Sequence, residues 1–93
     1  MTKTIMIAHG SAAVQAARII AANAKEREDK ARGYELAAQW HDKQEKACRE
    51  IANDIRVGVH VNLKASIAAT HHGASAAGLR NAASQLMRLA TTE

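Results

Sequence analysis

Apolar residues recur at helical spacing through the middle of this chain. One stripe, at intervals built from three and four residues, comprises Leu36, Trp40, Ala47, Ile51 and Ile55. Charged residues of both signs fill the positions between them, so the pattern predicts an amphipathic helix over 34–54. An apolar stripe normally faces a protein core, and we therefore expect Trp40 to anchor this helix in the interior.

Three further helices are predicted around this central one. Helix-forming residues run over about 11–32 and end at Gly33, a residue that commonly terminates helices. Two shorter helices are expected at 64–71 and 75–90, with Gly73 interrupting them. The chain contains no proline, the strongest helix breaker, so these segments face few local obstacles to helix formation.

The segment 55–63 has two competing interpretations. Apolar and polar residues alternate along it, and three valines favour a strand that pairs with 3–8 or with the same strand of a second subunit. Ile51, Ile55 and Val59 also begin a four-residue repeat that would continue the helix. We expect the strand, so the predicted fold is a mainly α single domain over 1–93 with a short two-stranded β element.

Composition limits the size of the core and the cellular setting. The chain has 93 residues, is rich in alanine, and contains one Trp, one Tyr and no Phe. Small side chains bury little area, so we expect a homodimer to supply the missing burial. The single cysteine, Cys48, cannot form an internal disulfide, and no segment is long enough to span a membrane. These features predict a cytoplasmic protein.

Charge is distributed unevenly along the sequence. The net charge is +4, and no Asp or Glu lies between Asp54 and Glu93. A positive segment of this kind predicts an acidic protein partner or nucleic acid. The candidate partner-binding or nucleic-acid-binding residues are Arg56, Lys64, His71, His72, Arg80, Asn81 and Arg88.

Residues 65–84 resemble the helix-turn-helix of bacterial regulators. Ala69 and Gly73 are four residues apart, as are the helix-one alanine and the turn glycine of that motif, and a serine follows where its second helix begins. The resemblance implies that this second helix enters the major groove of duplex DNA, where Arg80 and Asn81 would meet base edges. The alternative is a helix–glycine–helix corner within a bundle.

Two other segments resemble known families less closely. The start of the chain, with a short β-like run before His9, Gly10 and Ser11, resembles small chelatases and mannose-type phosphotransferase subunits, but their further strands are not predicted here. A ribbon-helix-helix reading of 55–63 fails because the following helix is too short.

A metal site and catalysis are also not predicted. His41, Glu45 and Cys48 share a helix face but lack the paired spacing typical of zinc sites, so we predict no metal site. No cofactor motif or catalytic pair is recognisable, and we expect no enzyme.

The sequence therefore favours a small, non-enzymatic protein-interaction module. Its size and lack of motifs suggest an inhibitor of phage or mobile-element type, such as an anti-CRISPR protein, with a basic surface that blocks an acidic or nucleic-acid-binding partner. The alternative is a small dimeric DNA-binding regulator that uses 65–84.

Overall fold

Two long helices joined by a short turn make up the structure, a computed structural model that describes the backbone of residues 2–92 and the side chains of 11–90. Helix α1 spans Thr2–Ala52 and helix α2 spans Val59–Thr92. Residues early in α2 contact residues late in α1, so the helices are antiparallel. The resulting hairpin is a narrow rod of 84 × 14 × 14 Å.

The predicted mainly α fold is confirmed, but the predicted β element is wrong. The described backbone contains no strand: 3–8 lies inside α1, while 55–63 covers part of the turn and the first residues of α2. The alternation that indicated a strand coexists with a four-residue repeat. That repeat places Val59, Leu63 and Ile67 on one side of α2, which is the helical alternative.

The structure has two helices where four were predicted, because Gly33 and Gly73 lie within continuous helices. A glycine inside a helix costs about 0.5–1 kcal/mol relative to alanine, which alanine-rich flanking residues can offset. Gly73 also has a local role, since a side-chain carbon there would lie 2.6 Å from Oε2 of Glu45 on α1. Its missing side chain leaves room for that carboxylate.

The turn between the helices is fixed by side-chain hydrogen bonds. The Asn62 amide donates to the backbone carbonyls of Ile51 at 2.8 Å and Asp54 at 3.0 Å, which satisfies one acceptor at the end of α1 and one in the turn. The Asp54 carboxylate accepts from the backbone N–H of Arg56 at 2.9 Å. These bonds hold the chain in a turn where the sequence pattern indicated a strand.

The helices meet along a seam made of alanine. The buried residues of the described chain are Ala31, Ala38, Ala65, Ala69, Ala76 and Ala83, and no large side chain is fully buried. Most of these alanines recur every seven residues, about two helical turns, so they line one face of each helix. We call this contact the alanine seam; its small side chains allow the two backbones to approach closely.

Most of the large apolar residues among the described side chains face outward, contrary to the predicted core. Leu36 is 66% exposed, Trp40 54% and Ile51 43%. Helix α1 has two apolar faces, one of alanines and one of large side chains, and the alanine face packs against α2. The prediction that Trp40 anchors the interior is therefore wrong.

Helix α1 is also much longer than α2, with 51 residues against 34. Because the hairpin is antiparallel, the first part of α1 extends past the end of α2. All side chains of 11–23 are exposed there, including Ile19 and Ile20.

Candidate interaction surface

An exposed apolar surface runs along α1 outside the alanine seam. It consists of Leu36, Trp40, Ala47 and Ile51, all of them exposed, and we call it the outer stripe. The residues fall four, seven and four positions apart, so they form one row along a straight helix. Exposed apolar residues that share one face of a helix, unlike single scattered ones, mark interaction sites on proteins.

Trp40 is held at the flank of the hairpin by two histidines. Its ring packs edge-on against His41, with centroids 4.9 Å apart, and against His72 of α2, at 5.7 Å. The Nδ1 atoms of His41 and His72 are 2.8 Å apart, so one imidazole donates a hydrogen bond to the other. This pair links the helices and fixes the indole in an orientation that leaves about half of it exposed.

A second apolar surface surrounds the turn. It consists of Ile55, Val59, Leu63 and Ile67, and we call it the turn patch. Ile55 is 97% exposed and Val59 81% exposed, so these side chains contribute almost nothing to the hairpin's own packing. The patch follows the outer stripe along the chain, and Ile55 lies in the turn beyond the end of α1 at Ala52.

Arg80, a predicted partner-binding residue, is engaged within the hairpin. Its guanidinium donates to both carboxylate oxygens of Asp42, at 3.1 and 2.6 Å, and its Nε donates to Glu35 at 3.2 Å. The hydrogen bond from Arg80 lowers the pKa of the Asp42 carboxyl. The acid-free sequence of α2 thus faces carboxylates on α1, and part of the uneven charge distribution serves contact between the helices.

Arg56 is likewise paired. Its side chain donates to both oxygens of Asp54 at 2.9 Å, and this hydrogen bond lowers the pKa of the Asp54 carboxyl. The remaining candidates do not converge on one site. His72 lies in the histidine pair, whereas the exposed candidates are spread along α2: Lys64, His71, Asn81 and Arg88.

The helix-turn-helix interpretation of 65–84 is wrong. This segment lies within the single uninterrupted helix Val59–Thr92, so there is no turn to present a recognition helix. The start of the chain also differs from the predicted strand–turn–helix, since the backbone around His9 is part of α1. The side chain of His9 lies outside the described residues.

Metal-binding groups do not assemble within 11–90, the part of the chain whose side chains the structure describes. Among the side chains that the structure describes, no three His, Cys, Asp or Glu residues are grouped so that they could hold a metal ion. His41 faces His72 instead of joining Glu45 and Cys48 in a ligand set. Neither described helix has a stretch apolar enough to cross a membrane.

Comparison with known proteins adds no family. No protein-family model, curated protein or solved structure matches this chain. The surface of the hairpin is therefore the basis for inferring a function.

Proposed function

We propose that this chain is a non-enzymatic helical-hairpin module that binds a protein partner through the outer stripe and the turn patch. The observation that carries the proposal is that small side chains are buried between the helices while most large apolar side chains are exposed. Within the described side chains the buried residues are all alanines, while most large aliphatics and the only tryptophan of the chain are exposed and Leu79 and Leu86 are half-buried. A partner would cover the surface that the hairpin leaves open.

The energetics favour such coverage. Complete burial of a large aliphatic side chain contributes about 1.5–3 kcal/mol, so burying the exposed half of one contributes about 1 kcal/mol. Ile55 and Val59, which are almost fully exposed, would gain more. Trp40 adds a partly exposed aromatic ring of the type that dominates binding energy at protein interfaces.

Charge narrows the class of partner. Helix α2 contains no Asp or Glu, and Lys64 is exposed near the turn patch. Complementary charge accelerates encounter with an acidic surface, although it adds less to affinity than apolar burial. Within this class we favour an inhibitor that blocks an acidic or nucleic-acid-binding protein. The lone thiol of Cys48 fits a reducing, cytoplasmic setting.

Duplex DNA is a less favoured ligand. The continuous helix removes the turn of the DNA-binding motif, and Arg80 donates its hydrogen bonds to carboxylates of α1. We expect weak duplex binding that disappears at physiological salt, measured by fluorescence anisotropy across a salt series. Tight binding that weakens steeply with salt would instead support the DNA-binding regulator.

Site-specific photo-crosslinking tests the proposal. A benzophenone amino acid is placed at Leu36 in the outer stripe and, as a matched control, at Gln85, an exposed polar position on α2. In the source cells we expect a defined covalent adduct from position 36 and none from position 85, with mass spectrometry identifying the attached protein. No adduct from position 36, or the same adducts from both positions, would refute the outer stripe as a binding surface.

A further inference from the structure

We propose that the partner of the outer stripe is a second copy of this chain, packed antiparallel about a two-fold axis near Lys43 and Gln44. The inference rests on the proposed function, because it takes the outer stripe to be a binding surface. It adds the identity of the partner at the outer stripe and the register of that contact, and it leaves the turn patch beside Lys64 for the acidic protein.

The spacing of the outer stripe carries this inference. Its intervals of four, seven and four residues read the same in both directions. When two α1 helices pack antiparallel about the centre of the stripe, Leu36 meets Ile51 of the second copy and Trp40 meets Ala47. A two-fold contact uses the same surface on both molecules. Because the intervals are palindromic, each of the four apolar residues of the stripe meets an apolar residue of the second copy.

The sizes of the paired side chains also fit this register. Trp40, the largest side chain of the stripe, faces Ala47, the smallest, and this alternation lets facing side chains interdigitate. Leu36 and Ile51 are both branched aliphatics and form an apolar contact at each end. The pairing therefore fills the interface without placing two bulky side chains against each other.

Side-chain size favours the antiparallel register over a parallel one. In a parallel pair aligned residue by residue, Trp40 would face Trp40 and Ala47 would face Ala47. The two indoles would hold the helices apart, and the facing alanines would leave a gap.

The hairpin leaves this face of α1 available. Helix α2 packs against the alanine seam, and Leu36 and Trp40 remain more than half exposed. A second copy would therefore add its α1 on the opposite side from α2. The two inner α1 helices would then each be flanked by an outer α2.

Cysteine crosslinking tests both the partner and the register. The background variant is Cys48→Ala, which removes the native thiol. With Leu36→Cys and Ile51→Cys together, mild oxidation is expected to give a disulfide-linked dimer. Leu36→Cys alone is the control: in the proposed register the two copies of position 36 are offset by 15 residues, about 22 Å along the helices. A disulfide needs Cα atoms within about 7 Å, so the control should stay monomeric on denaturing gels.

Light scattering of the Cys48→Ala chain provides the independent measurement. We expect the mass of a dimer at high micromolar concentration, and the mass of a monomer for the same chain carrying Leu36→Glu. Efficient crosslinking of the single-cysteine control would overturn the antiparallel register. A monomer at all concentrations would overturn self-association, while a photo-adduct between position 36 and a different protein would leave the proposed function standing.

Discussion

Enlarging one residue of the alanine seam should destabilise the hairpin. Ala76 is 2% exposed and lies in the seam, whereas its neighbour Ala77 is exposed. The pair Ala76→Leu and Ala77→Leu therefore makes the same chemical change one position apart. The nearly equal helix propensity of alanine and leucine leaves packing as the main difference between the two variants.

The sign of the change in unfolding free energy caused by Ala76→Leu distinguishes a closely packed seam from a loose one. Leucine adds three carbons, and burying them without strain would stabilise the fold by up to about 2.4 kcal/mol. In a close-packed seam the added carbons push the helices apart, and overpacking typically costs about 1–3 kcal/mol. Separation would also stretch the His41–His72 and Arg80–Asp42 hydrogen bonds, which cross the same interface. We expect Ala76→Leu to lose about 1–3 kcal/mol.

Urea unfolding followed by circular dichroism at 222 nm measures the difference. All variants are compared at one protein concentration, because association would add to apparent stability. Ala77→Leu should change the free energy of unfolding by less than about 0.5 kcal/mol. Each kcal/mol lost by Ala76→Leu should also lower Tm by about 4–8 °C. Equal or greater stability of Ala76→Leu relative to Ala77→Leu would refute the close-packed seam.

Three further predictions concern the turn, the charges and the helix interior. Asn62→Ala should lower the free energy of unfolding by about 1–3 kcal/mol because its hydrogen bonds to two backbone carbonyls are lost. The control, Asn81→Ala at an exposed position, should cost almost nothing. Similar losses in both variants would contradict the role of Asn62 in fixing the turn. The Arg80 hydrogen bond lowers the pKa of Asp42, so its stabilisation is present above the unfolded carboxyl pKa of about 3.9 and is lost as the pH falls through the lower folded value. The urea midpoint of the wild type should therefore exceed that of Arg80→Met at neutral pH and approach it in acid, whereas a constant difference would exclude the Asp42 linkage. Gly78→Ala, where an added Cβ meets no atom within 4 Å, should raise stability by about 0.5–1 kcal/mol in the same unfolding assay, and a loss would show that this position needs glycine.

Helix content follows from the sequence, but the choice of buried face does not. Alanine-rich segments without proline indicate helices, and they form. The central segment has two apolar faces, and the rule that large apolar residues are buried selected the one that contains Trp40. The competing signal was the seven-residue recurrence of alanine, as at Ala31 and Ala38 or Ala76 and Ala83, which permits close helix contact.

The candidate site shows the same limit. The charge distribution predicts that Arg80 is available for a partner. The sequence alone does not show which residues of α1 face Arg80. The antiparallel turn brings Glu35 and Asp42 to its guanidinium. The turn itself depends on hydrogen bonds from Asn62 to the carbonyls of Ile51 and Asp54, and the alternating pattern of 55–63 does not predict them. Contacts between residues far apart in the sequence therefore determine the pairing of Arg80 and the path of the turn, which local sequence patterns do not predict.

Acrylamide quenching of Trp40 fluorescence tests the central claim most directly, because Trp40 is the only tryptophan and belongs to the outward-facing stripe. The measurement is a dilution series of the wild type beside Ile51→Glu, which places a charge in the outer stripe. We expect strong quenching in the dilute limit and in the variant, with protection and a blue-shifted emission as wild-type molecules associate. Protection of Trp40 at every concentration in both proteins would place the indole inside the hairpin and contradict the account.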